Sequence, residues 1–407
     1  MRKRIVITYP SFIFLVGLMT PSAQAGNWQE LVSAKASAEA GFAIWPTTDN
    51  QELPDIYGNI IVWQQVSNYG DYDIYVADIN NPAYSLLFII GDANDQSNPA
   101  IYDNIIVWQD YVIWQGLGDW DIWAVDISDL TNPQLFAVSN IAGIDEQIPA
   151  IAGNTVVWQD SDVGLSARMD IYGADITDPN NPTEFSIADF EFDQRSPAIY
   201  RTTIIWQDNF FGDWDILAAD IWQRNKPVLL PVSLIEHDQQ NPAISGSIVV
   251  WQDNFSGNWD IYAADISEPN NPVEFAITIN DSSQINPDID ENIVVWQDNR
   301  NNNWDIFGYN LTIKQEFQIT DNPADQINPA INGKVIVWQD SRTGNWNIYA
   351  AILDGPKAAK CASKIFGDVN GDCKVDFADL TVMAAHWIEC DLDPKETCWQ
   401  YLEKRIR

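Results

Sequence analysis

Pro242-Ala243-Ile244, a Ser245-Gly246 turn, the run Ile248-Val249-Val250-Trp251-Gln252, a second turn from Asn254 to Asn258, and the run Asp260 to Ile266 make up the stretch that decides the fold. Its runs are short, β-branched and aromatic, and are punctuated by Gly, Asn and Ser, so they read as strands joined by tight turns. A fourth run, Glu274 to Thr278, follows a Pro269–Pro272 break. No part has helical spacing. The same unit recurs seven times, with its Trp-Gln pair ending at Gln64, Gln109, Gln159, Gln207, Gln252, Gln297 and Gln339. A second core follows each copy, from Tyr72, Trp120, Met169, Trp214, Trp259, Trp304 and Trp346. A period of about 45 residues holding four strands is the size of a propeller blade, and the strand pattern excludes helical solenoids. The repeat also explains why the chain carries 19 Trp, since 12 of them occupy these two cores.

Closure of the ring is legible as well. The seventh copy ends at Leu353 without a fourth strand, whereas Phe42-Ala43-Ile44, Gln51 and Pro54 match Phe275-Ala276-Ile277, Gln284 and Pro287 of the fifth copy. An orphan fourth strand near the N-terminus thus pairs with a last blade that lacks one, leaving no open edge.

The order strand, turn, Val-Trp-Gln-Asp, Gly-containing turn, Trp-Asp-Ile-Tyr resembles the TolB-like propeller repeats. That resemblance implies a seven-bladed ring over residues 41–353 and a role in protein interaction. It does not fix function, because such rings serve as enzymes, lids and binding platforms.

Charge narrows the partners. The chain has 58 acids against 21 bases, a net charge of −37. So acidic a surface repels phosphate, which disfavours nucleic acid and anionic membrane as partners. Arg2, Lys3 and Arg4, an apolar run from Ile5 to Met19, and Ala23-Gln24-Ala25 read as a secretory leader over residues 1–25, cleaved before Gly26. A membrane anchor is the alternative, but Thr8, Pro10 and Ser11 interrupt a run already short for a span. The expectation is an exported chain (extracellular, cell-surface or periplasmic) with no membrane span in its mature form, and with residues 26–40 as a short lead-in.

In such a ring the turns between second and third strands and the blade-to-blade loops share one face. Asp110, Asp160, Asp208, Asp253, Asp298 and Asp340 lie there, with Asp95, Asp193, Asp238 and Asp325. They form either a cation- or polyol-binding surface or, as suits a residue repeated in every blade, backbone-bonded turn scaffolding. The repeat breaks at Tyr111 to Gly118, at Ser161 to Arg168 and at Phe210-Phe211. Loop aromatics can stack on sugar faces, so Tyr111, Phe210 and Phe211 are the ligand-loop candidates. No catalytic residues are assigned. Paired carboxylates suited to glycoside hydrolysis cannot be picked out, because no acid departs clearly from the repeat. Oligogalacturonate lyases use a His-rich metal site on such a ring, whereas His237 is the one histidine between residues 41 and 353. A Gly-x-Ser-x-Gly elbow is absent.

Residues 354–364 read as a linker. Residues 365–407 then carry Asp368-Val-Asn370-Gly-Asp372-Cys373-Lys374-Val-Asp376-Phe-Ala-Asp379, with Phe377, Leu380, Ala384 and Trp387 at helical spacing beyond it. Oxygens at loop positions 1, 3, 5, 9 and 12, with a carbonyl at 7, are the ligand pattern of a Ca²⁺ loop. The segment resembles one repeat of a type I dockerin. The resemblance implies side-chain ligation by Asp368, Asn370, Asp372, Asp376 and Asp379, backbone ligation by Lys374, and Ca²⁺-dependent docking to a cohesin-like module. Position 6 is Cys373 rather than Gly, and no second loop follows. All four cysteines, Cys361, Cys373, Cys390 and Cys398, lie here. Export favours disulfides, with three possible pairings, and no C-x-x-C spacing supports a thiolate metal site.

The expected molecule is all-β: a seven-bladed propeller of four-stranded blades closed by an N-terminal strand, followed by a small α-helical Ca-loop domain. As a function, a protein- or glycan-binding module tethered to a cohesin-type or cell-surface partner stands first. A secreted polysaccharide-degrading glycoside hydrolase or lyase is the alternative.

Overall fold

A computed structural model describes residues 41–353 except 81–85, 92, 115–116, 163–167 and 225. The expected leader over residues 1–25, the expected Ca²⁺ ligands of residues 368–379 and the four cysteines lie outside the described residues. Within them the chain is all strand and turn, arranged as seven antiparallel four-stranded sheets. Blades are numbered here in chain order. Their innermost strands are Gln51–Tyr57, Gln96–Tyr102, Ile144–Ala152, Gln194–Tyr200, Gln239–Ser245, Gln284–Asp290 and Gln326–Asn332. Blade 5 continues outward through Ile248–Asp253, Asp260–Asp265 and Val273–Thr278, within two residues of the expected boundaries except at the first strand, which starts three residues earlier.

The ring closes as the repeat implies. Strand Phe42–Ile44 pairs antiparallel with Asn347–Ile352, joining Phe42 to Ala350 and Ile44 to Ile348. Ile44, Ile56, Ile61 and Trp63 then pack with Val337, Ile348 and Ala350 in one core that spans blades 7 and 1. Each Trp of the Trp-Gln pair is buried in this way, none more than 1% exposed. Burying so large an apolar ring stabilises by roughly 2–3 kcal/mol or more per blade.

The Gln beside that Trp couples the blades. Its side-chain oxygen accepts the backbone N–H of the residue before the Pro in the next blade's innermost strand. The acceptor and donor pairs are Gln64 with Asn98, Gln109 with Ile148, Gln159 with Ser196, Gln207 with Asn241, Gln252 with Asn286, Gln297 with Asn328 and Gln339 with Leu53, all at 2.8–3.0 Å. Every one of these donors sits at a register shift in its strand with φ between 49° and 52°. A bulge frees one N–H from the ladder, and the neighbouring Gln satisfies it.

Candidate functional site

The repeated acids of blades 4 to 7, and four acids of the blade-to-blade loops, are scaffold. In blades 4 to 7 the carboxylate after Trp-Gln accepts the Trp indole N–H on one oxygen, at 3.0–3.3 Å, and the backbone N–H two residues on with the other, at 2.8–2.9 Å. Asp95, Asp193, Asp238 and Asp325 accept the backbone N–H of Tyr72, Met169, Trp214 and Trp304, tying each blade-to-blade loop to its hairpin. Among the described residues no three His, Cys, Asp or Glu side chains converge as a metal centre.

What breaks the repeat is more informative. Phe210 and Phe211 lie on a turn that folds identically around Phe255-Ser256, Arg300-Asn301 and Arg342-Thr343 in blades 5 to 7. The turn therefore does not require them. They are nonetheless 49% and 63% exposed, and they stack edge-to-face with each other at 4.9 Å, while Phe192 joins Phe210 at 5.4 Å. Beside them exposed His237 packs edge-on against Phe255 at 5.5 Å and donates its backbone N–H to Asp213. His237 is a surface-loop residue.

Tyr111 is placed differently from its expected loop. The insertion in blade 2 extends a hairpin, Ile105–Trp114 with Leu117–Asp126, so Tyr111 lies within a strand, opposite Trp120. The continuous apolar Tyr-Val-Ile-Trp run lengthens the ladder rather than making a loop. Its phenol lies across Gly118, where a Cβ would stand 2.1 Å from the hydroxyl oxygen, so the ring occupies the space a side chain at 118 would need. Tyr111 there lines a groove of about 580 Å³ with Tyr69, Ile113, Asp71, Asn94 and Asp95. A comparable groove at blades 5 to 7, about 550 Å³, is lined by Asp281, Asn302, Asn303, Trp304 and Asp325 and is mostly polar. Most of the loop Ser161 to Arg168 lies outside the described residues.

Two acids that do depart from the repeat went unread in the sequence. Asp55 and Asp288 replace the Ala found at positions 100, 150, 198, 243 and 330 of the other innermost strands. The signal was present as Pro-Asp-Ile in place of Pro-Ala-Ile. Asp55 accepts the backbone N–H groups of Ile56 and Ile101, and Asp288 those of Ile289 and Ile331, all at 2.8 Å. Protein surrounds both near the ring axis, although each keeps some accessible surface. Burial pushes Asp55 up to about 6 and Asp288 up to about 7, against the lowering effect of the backbone donors. The charge of Asp55 adds to the shift of Asp288.

No family model matches the chain, and no curated protein does. Solved structures do. A puromycin-hydrolyzing peptidase of Mycobacterium tuberculosis superposes with a TM-score of 0.53 at 11% identity, over 75% of this chain and 52% of that one. An oligogalacturonate lyase in complex with manganese gives 0.55 at 12%, over 75% of this chain and 89% of the lyase. The β-propeller domain of the Trilobed protease from Pyrococcus furiosus gives 0.54 at 12%, over 75% and 96%. The chain spans about half the length of the peptidase. Likeness at this identity establishes the fold alone: a seven-bladed propeller of the kind carried by peptidases and a lyase.

Proposed function

We propose that this chain is an exported binding module whose ring captures a polysaccharide through the loop face that bears the Tyr69–Tyr111 groove and the Phe192–Phe210–Phe211 cluster. Residues 365–407 tether it, through Ca²⁺, to a cohesin-like or cell-surface partner. The observation that carries the reading is the use of aromatic side chains where the repeat itself demonstrates that none is needed for folding. Exposed rings beside Asp and Asn side chains suit a sugar, whose C–H face stacks while its hydroxyls meet amides and carboxylates. The test is retention of the full chain in affinity gels of neutral, acidic and amino polysaccharides. Binding that weakens at least tenfold in Phe210→Ser and Tyr111→Ser supports the reading; no retention on any gel refutes it.

The second reading is a polysaccharide-degrading enzyme, and Asp55 with Asp288 favours it. Two carboxyls that burial raises towards neutrality near the ring axis suit general acid and base roles. Release of reducing or unsaturated ends from the same panel, lost in Asp55→Asn and Asp288→Asn, would replace capture by catalysis.

A further inference from the structure

Six of the seven innermost strands have a buried Gln at one equivalent position. Its side-chain N–H₂ donates to a backbone carbonyl of the blade-to-blade loop. The acceptor lies two residues earlier in five blades, namely Asn94, Phe192, His237, Ser282 and Ala324, and is Trp45 for Gln51. Blade 3 has Glu146 there, completely buried. A carboxylate cannot make the donation its six counterparts make.

Its surroundings sharpen the problem. Glu146 Oε1 lies 2.5 Å from the hydroxyl of Ser139, and that same hydroxyl lies 3.0 Å from Glu184 Oε1. One serine proton cannot serve two carboxylates, so the second contact needs a proton on a carboxyl group. Glu146 Oε2 is buried and has no hydrogen-bond partner among the described residues. The other charged groups that face Glu146 are Asp121 from blade 2 and Asp160 from its own blade, and they too are acids. Arg168, in the same blade, is committed to Asp170 and Asp189. Burial, followed by the charge of Asp121, raises Glu146 well above the ordinary carboxyl range.

We propose that Glu146 is a proton-binding site in the seam between blades 2 and 3, protonated at neutral pH and emptied in alkali, with loosening of the Ile105–Asp126 hairpin as the result. Release breaks the carboxyl O–H bond, sends the proton to solvent and leaves a carboxylate facing Asp121. Asp121 lies on that hairpin, as does Asp119, which accepts the N–H of Gly143 at 2.5 Å. Tyr111 stands on the same hairpin, so alkali would also disorder the groove. That link rests on the groove being the ligand site, whereas the proton site does not.

The experiment compares the full chain with Glu146→Gln, a residue that six equivalent sites already accept. The wild type is expected to keep an infrared carboxylic-acid carbonyl band at pH 7 that loses one carboxyl's intensity in Glu146→Gln. Its melting midpoint should fall about 2–4 °C further than the variant's between pH 6 and pH 9. Ser139→Ala, which removes a bond that favours the carboxylate, should move the band's loss to higher pH. Equal bands with parallel melting curves would overturn the proposal. So would a melting point that rises on adding Na⁺ or Ca²⁺ at constant pH in the wild type but not in Glu146→Gln, because a metal cation would then fill the site.

Discussion

Replacing Gln252 by Ala tests whether the ring is held by its side-chain latches or by packing alone. Gln252 Oε1 accepts the backbone N–H of Asn286 at 3.0 Å and the Asn241 side-chain N–H at 3.1 Å, and the side chain is 6% exposed. Truncation removes two net hydrogen bonds, about 1 kcal/mol each. It also strands the Asn286 N–H, which the bulge has already taken out of the ladder, at a further cost of about 1–2 kcal/mol if water cannot reach it. Asn241 retains its bond to Asn286 Oδ1 at 2.9 Å, so its loss is partial. The expected destabilisation is about 2–4 kcal/mol. Guanidinium unfolding followed by Trp fluorescence would measure it, with Phe255→Ser, an exposed neighbour, as the control near zero. A loss below about 1 kcal/mol in Gln252→Ala would refute the latch at this seam and leave its coupling to packing and to the Asn241–Asn286 bond.

Asp121→Asn should flatten the alkaline side of the stability profile. Burial and the charges of Asp119 and Asp110 push Asp121 up to about 8, so its folded form holds a proton that the unfolded chain releases near 3.8. Stability from this group is complete below pH 3.8 and drains as pH rises towards 8, by at most about 5–6 kcal/mol and less as water enters the seam. Asn347 already fills the equivalent place in blade 7, donating to Thr343, so the variant should fold and gain stability relative to wild type at pH 8 in thermal melts. Ile44→Asp should break ring closure and speed amide exchange in Asn347–Ile352 selectively; uniform protection would deny that closure depends on this strand. Phe211→Ser should change unfolding free energy by less than about 0.5 kcal/mol while weakening polysaccharide retention, since its ring is 63% exposed. Asp372→Ala should abolish any Ca²⁺-dependent partner capture by the full chain, and capture that survives chelation would count against docking by residues 365–407.

The architecture could be read in advance because every blade restates it. Period, strand count and the orphan strand Phe42–Ile44 all follow from comparing copies of one pattern. The site was legible only in part, for reasons that differ residue by residue. Phe210 and Phe211 were visible because aromatics stood where other copies vary. Tyr111 was visible as an insertion but misplaced, because a short apolar insertion can prolong a hairpin or form a loop and sequence alone does not decide which. Asp55, Asp288 and Glu146 differ from their counterparts by one residue each, and their meaning depends on burial and on which N–H or carbonyl they meet. Those quantities exist only once neighbouring blades are assembled. The roles of the bulge donors were hidden for the same reason, since Gln64 reaches Asn98 across a seam.

The pairing of Ile44 with Ile348 has a kinetic side. The strand that completes blade 7 is synthesised before any other part of the ring, and it must wait, unpaired and apolar, until the last hairpin exists. Closing a loop of some three hundred residues is entropically slow relative to forming a hairpin. Six blades can therefore assemble in order while the molecule remains an open arc with two sticky ends. Any chain cut short before Asn347 never acquires a partner for its own beginning. Closure thus acts as a completeness check, because an interrupted chain would leave the strand Phe42–Ile44 without its partner, for chaperones or proteases to find.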